Sequence, residues 1–159
     1  MMKKLLIPLI LSATLLAGCN KDRQPTAAKK EEEVKVSIHY PASNPTTLTY
    51  LSKDWEEYPT NAVKSEGYEL FKDVLARCKF YRSTEMIGPH PGFTFKWQDK
   101  NMISLKLGGD EKNTSLFIDS TFIDFEKKGE EKYLSARFSD EKLYNRITAF
   151  SDECVKNKQ

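Results

Sequence analysis

The sequence predicts an α+β fold, on three observations. Two segments, Glu66 to Cys78 and Leu143 to Cys154, carry apolar residues at helical spacing. Between them, apolar and polar residues alternate with period two through several short runs, of which Phe93-Thr94-Phe95-Lys96-Trp97 is the clearest. The connections between these runs are too short for parallel crossovers, so the strands are expected as an antiparallel meander. The simplest packing lays both helices against that sheet in a two-layer domain.

Each element follows in order. Val34, Val36, Ile38 and Tyr40 alternate with Lys35, Ser37 and His39, which predicts a half-buried strand. Two prolines, Pro41 and Pro45, break it, and β-type composition resumes from Thr46 to Leu51, so these two segments are expected to pair. Asp54 to Thr60 reads as a polar loop. Leu70, Phe71, Val74, Leu75 and Cys78 form the apolar stripe of the first helix. Phe80 and Arg82 open a weak strand, and a Pro-cornered loop runs from Gly88 to Gly92. After Trp97, the turn at Asp99 to Asn101 leads to a partner strand on Ile103, Leu105 and Leu107. A second turn, Gly108 to Asn113, precedes a short strand from Ser115 to Ile118. Phe122 to Glu126 and Tyr133 to Phe138 are expected as a hairpin about the turn Lys127-Lys128-Gly129-Glu130-Glu131. Ser139 is the expected N-cap of the last helix, with Asp140 and Glu141 in its first turn and Leu143, Ile147, Phe150 and Cys154 on its buried face.

With 159 residues, 39% of them apolar, the chain can bury one core. Its formal charge of +2 comes from Lys3 and Lys4; from Cys19 onward, 23 basic side chains balance 23 acidic ones. Such a surface offers no electrostatic footprint for nucleic acid and no basic patch for anionic lipid.

The first 19 residues carry the clearest signal. Lys3 and Lys4 precede an apolar run from Leu5 to Leu16, which spans only about 18 Å as a helix, well short of a ~30 Å hydrocarbon core. A secretory signal fits that length. The segment Leu16-Ala17-Gly18-Cys19 resembles the lipobox of bacterial lipoproteins. The resemblance implies cleavage between Gly18 and Cys19 and acylation of the Cys19 thiol. Residues 1–18 are then a signal peptide, 19–33 a lipidated tether, and 34–159 a single domain. Asn20 is not the Asp that signals inner-membrane retention, so in a Gram-negative envelope the outer membrane, on its periplasmic side, is the expected address. Two or three acyl chains hold a protein stably, at ~0.8 kcal/mol per buried methylene. The tether has no aromatic and no large apolar residue, and its eight charges cancel.

Cys78 and Cys154 are the remaining thiols. Each lies on the apolar stripe of its helix, near the C-terminal end, and export permits a disulfide, so a bridge between them is expected. The other reading is two buried thiols acting as small hydrophobes.

Catalytic chemistry is hard to find. His39 lies on the polar side of a strand and His90 in the Pro-rich loop, neither with an orienting carboxylate or nucleophile that the sequence places. The serines lack a Gly-x-Ser-x-Gly elbow or a Ser-x-x-Lys pair. Asp119, Asp124 and Glu126 lack the spacing of a calcium loop, and Gly108-Gly109 runs into Asp110-Glu111, which would repel a phosphate. No catalytic residue, metal site or cofactor is expected. What remains is aromatic: Trp55 and Tyr58 in a charged loop, with Pro89 and His90 as a second surface. Aromatic anchors in a polar rim suit partner binding, whereas Trp55 could instead fold back as a lid on the core. Two functions compete. One is a non-enzymatic envelope module that binds a protein or glycan as inhibitor, assembly factor or sensor. The other is a small envelope hydrolase whose site assembles from distant residues, with His39 or His90 beside a carboxylate.

Overall fold

The computed structural model describes residues 31–83, 90–98, 102–126 and 133–158. These residues form β1 (Val36–Ile38), β2 (Thr47–Leu51), β3 (Glu57–Pro59), α1 (Lys64–Ala76), β4 (Lys79–Ser83) and β5 (Gly92–Lys96). There follow β6 (Met102–Gly109), β7 (Thr114–Ser120), β8 (Ile123–Phe125), β9 (Tyr133–Phe138) and α2 (Glu141–Lys156). The class is α+β: a seven-stranded sheet in the order β3-β2-β5-β6-β7-β9-β4, antiparallel at every pairing, and two helices. A two-stranded ribbon, β1 with β8, accompanies it. Among the described residues, no helix is long and apolar enough to cross a membrane.

The alternation in the sequence sets which side of each strand is buried. Leu48 and Tyr50 of β2 stand opposite Phe95 and Phe93 of β5, which face Ile103 and Leu105 of β6; Ile118 of β7 and Leu134 of β9 continue the row. All of these belong to the core, as do Leu143, Ile147, Phe150 and Cys154 of α2. Phe71 of α1 packs its ring against Phe93 at 4.8 Å and Phe95 at 5.8 Å, and Phe150 reaches Phe93 at 5.7 Å, so both helices close on the same apolar face. Trp97 is buried, its indole N–H donating to the Ser43 carbonyl at 3.0 Å.

Several elements differ from the sequence expectation. β2 pairs with β3 and β5 rather than with the Val34–Tyr40 segment, and β8 pairs with β1 rather than with β9. The first strand therefore closes on a segment some eighty-five residues later, a long-range choice that local pattern cannot encode. The polar loop is shorter than expected, because Glu57 to Pro59 form an edge strand in which Pro59 needs no donor. On α1 the buried stripe is Gly67, Tyr68, Phe71, Val74 and Leu75, rotated from the expected one. Asp140, not Ser139, caps α2: its carboxylate accepts from the Leu143 amide at 3.1 Å. The lipobox with Cys19, tether residues 19–30, Pro89 and the turns at 99–101 and 127–131 lie outside the described residues.

Candidate functional site

The β2–β3 turn is built around Ser52, a buried serine. Its hydroxyl accepts hydrogen bonds from the amides of Asp54 and Glu56, both at 3.2 Å. Its own amide donates to the Glu56 carbonyl at 3.0 Å, and its carbonyl accepts from the Trp55 amide at 3.2 Å. This clasp leaves Trp55 with φ of 67°, in the left-handed region that Gly or Asn enters cheaply and a bulky residue does not. Trp55 is 52% exposed, so it is no lid on the core. The turn thus spends backbone strain to hold an indole in water.

Tyr58 stands beside it on the edge strand, half-buried. It lies directly opposite Tyr50, with ring centroids 6.1 Å apart, and Tyr50 stacks in turn on buried Phe93 at 5.0 Å. The Tyr58 hydroxyl donates to the Glu56 carboxylate, and that bond pushes its pKa up. Lys158, just beyond α2, places its ammonium 4.9 Å from the Tyr58 ring centre.

Inward of this rim runs a groove of about 460 Å³. Tyr50, Phe93 and Leu107 give it apolar lining, Asp54 and Asp152 charge, and Val155 of α2 an exposed aliphatic wall, 43% accessible. Among the described residues, the loop that carries the second expected surface reaches the groove through Pro91 and Gly92. His90 itself stacks on Phe117 at 6.3 Å, on the side of the sheet away from the helices.

His39 does meet a carboxylate, Asp124, at 3.2 Å. Both side chains are widely exposed, and they face each other across the β1–β8 ribbon in open solvent rather than in a cleft. Asp119 is exposed on β7. Among the described residues no group of three metal-ligating side chains gathers.

The expected bridge between Cys78 and Cys154 is not formed; both are free thiols. The reason is the direction of the helices. Asp73 accepts a hydrogen bond from Arg146 at 2.6 Å, while Gly67 abuts Phe150, so position rises along α1 as it falls along α2. The helices are antiparallel, and their C-terminal ends point apart. At ~1.5 Å per residue, Cys78 and Cys154 stand about 20 Å apart along the helix axes, against the ~7 Å limit between Cα atoms of a disulfide. Cys78 instead donates to the Val74 carbonyl, and burial pushes both thiols up to about 12.

Sequence reasoning found Trp55 and Tyr58 but missed Ser52, Val155 and Lys158. Val155 did leave a trace, as an apolar residue one step off the 143/147/150/154 stripe. No family model, no curated protein and no solved structure matches the chain.

Proposed function

We propose that the chain is an envelope lipoprotein, anchored through acylated Cys19, whose domain is a non-enzymatic module that binds a protein partner through Trp55, Tyr58 and the groove beside them. The finer architecture belongs to this reading: a two-layer domain in which the meander, backed by two helices, presents the β2–β3 turn at one edge. One observation carries the binding role. Trp55, a bulky residue at positive φ and exposed, sits in a turn closed by four hydrogen bonds that one buried serine makes with Asp54, Trp55 and Glu56. Such strain persists where the surroundings impose it, and it concentrates at functional positions. An indole and a tyrosine beside an apolar groove rimmed by Lys53 and Asp54, with Lys158 over the tyrosine ring, match the composition of protein-binding hot spots.

The anchor follows from the lipobox and the short apolar run before it. A neutral domain gains no electrostatic hold on a membrane, which makes a covalent lipid the means of staying there.

A photo-reactive residue at position 53, next to the indole, tests the binding role in intact envelopes. A discrete protein adduct, lost when Trp55 is replaced by Ala, supports the reading. Retention on isolated cell-wall glycan without any protein adduct would make the partner a glycan. Neither adduct nor retention would remove the proposal.

A further inference from the structure

The edge of the sheet opposite Trp55 is β4, six strand spacings or about 29 Å from β3. An edge strand presents a row of backbone donors and acceptors open to another chain. Here residues 31–34 lie along it. The Val34 amide donates to the Phe80 carbonyl at 2.8 Å, the Arg82 amide to the Glu32 carbonyl at 3.3 Å, and Glu33 forms an antiparallel bridge with Tyr81. The end of the expected tether thus adds itself to the sheet.

Its side chains are matched one by one. Glu31 pairs with Arg137 of β9, Glu32 with Arg82 at 3.0 Å, and Glu33 with Lys79 at 3.9 Å. Glu32, Glu33 and Lys79 are largely exposed, so water and salt screen these contacts. Val34 is only half-buried and is the one apolar residue of the four, so little hydrophobic burial holds the strap down.

Past Glu31 the matched surface continues. A cavity of about 580 Å³ is lined by Arg77, Lys79, Tyr81, Ser115, Arg137 and Ser139, among others. The Arg137 guanidinium lies 4.8 Å from the Tyr81 ring centre, and its Nε is buried without a hydrogen-bond partner. Three cations, Arg77, Lys79 and Arg137, and one carboxylate, Asp140, line it, and none of residues 31–34 does.

We propose that the β4 edge and this cavity form a docking site for an extended acidic segment of a partner protein, and that residues 31–34 are an internal copy of that ligand which holds the site closed. The strap itself displays the mode of recognition. Backbone pairing to Phe80 and Arg82 supplies register, and carboxylates on alternate positions meet Arg137 and Lys79. A partner segment carrying one more acidic side chain than the strap would displace the strap by also reaching Arg77, whose guanidinium pairs with Asp73 at 3.1 Å when the strap is in place. This surface goes beyond the Trp55 reading and stands or falls separately from it.

The test uses the full chain in detergent and a fluorescent peptide of sequence Glu-Glu-Glu-Val-Lys-Val. Covalent attachment gives the strap a high effective concentration, so it competes with the peptide in the unaltered protein. The E31Q/E33Q variant should therefore bind the peptide about tenfold tighter or more than the unaltered chain does. Adding R137Q or K79Q to that variant should reverse the gain, and a peptide with Gln in place of its three Glu should not bind. Amide exchange gives an independent readout: the Arg82 N–H should exchange faster in E31Q/E33Q and slow again when the peptide is added. Equal affinity for the Glu and Gln peptides, no binding to E31Q/E33Q, or unchanged Arg82 exchange would each overturn the proposal.

Discussion

Gly67 of α1 meets the ring of Phe150 of α2 with no space for a side chain: a Cβ at Gly67 would stand 2.4 Å from Phe150 Cζ and 2.8 Å from Cε1. The ring cannot step aside, because it is buried against Phe71 at 6.5 Å and Phe93 at 5.7 Å. This contact sets how closely the two helices approach and places α2 over the sheet.

Gly67→Ala should therefore destabilise the domain, although alanine is the better helix former. Overpacking of a close-packed core costs ~1–3 kcal/mol, and the gain in helix propensity returns at most ~1 kcal/mol. A denaturant midpoint equal to or above that of the unaltered chain would show that the helices have room to separate.

The two cysteines should remain unbridged and slow to react. With both thiols pushed up to about 12, the thiolate fraction at pH 8 is about one in ten thousand. Native protein carrying Cys19→Ser should take up alkylating reagent slowly, and denatured protein without reductant should gain two adducts by mass. No adduct in denatured, unreduced protein would mean that a disulfide exists after all.

Stability should fall at alkaline pH, and the sign follows from the same groups. Burial raises Cys78 and Cys154 from 9.0 to about 12, and Tyr40 and Tyr68 from 10.0 to about 12. These acids ionise first in the unfolded chain, so stability is level below pH 9 and declines as pH climbs toward 12. Melting followed from pH 7 to 11 checks this. A melting temperature that stays flat across that span would contradict the burial of these four groups.

At position 55 the backbone and the side chain make opposite demands. A left-handed residue with a Cβ costs ~1–2 kcal/mol, so Trp55→Gly should be more stable than Trp55→Ala by about 1 kcal/mol. Thermal unfolding of the two variants side by side measures the difference. If the glycine variant is the less stable, the turn is not strained and the argument for a functional indole loses its basis.

What the sequence displayed, and what it hid, follow from the range of the interactions. Period-two alternation in Phe93-Thr94-Phe95 and in Ile103-Ser104-Leu105 placed β5 and β6 on the right faces, because burial of alternate side chains is a local pattern. The stripe Leu143, Ile147, Phe150, Cys154 located the buried side of α2 for the same reason. The pairing of β1 with β8 was not legible, since nothing in Val36-Ser37-Ile38 specifies a partner among the remaining strands. The cysteine expectation failed on a similar point: Cys154 does lie on the buried stripe of α2, but Cys78 falls just beyond the end of α1, and the helices run in opposite directions. Trp55 was legible as an aromatic in a charged loop, whereas its positive φ comes from hydrogen bonds to Ser52 that only the folded turn provides. The acidic run at Glu31–Glu33 read as solvated tether because its cationic partners sit some fifty and one hundred residues away.

The most direct measurement of the central claim compares partner capture and melting temperature for Trp55→Ala in the same preparation. The indole is 52% exposed, so its removal should leave stability within ~0.5 kcal/mol of the unaltered chain, as for ordinary surface substitutions. Loss of a hot-spot anchor should weaken partner binding by ~2 kcal/mol or more, about thirtyfold. Near-equal melting with capture reduced to that degree is the result this account predicts. Undiminished capture by Trp55→Ala, or a fall in stability of the ~3–5 kcal/mol expected for a buried large aromatic, would contradict it.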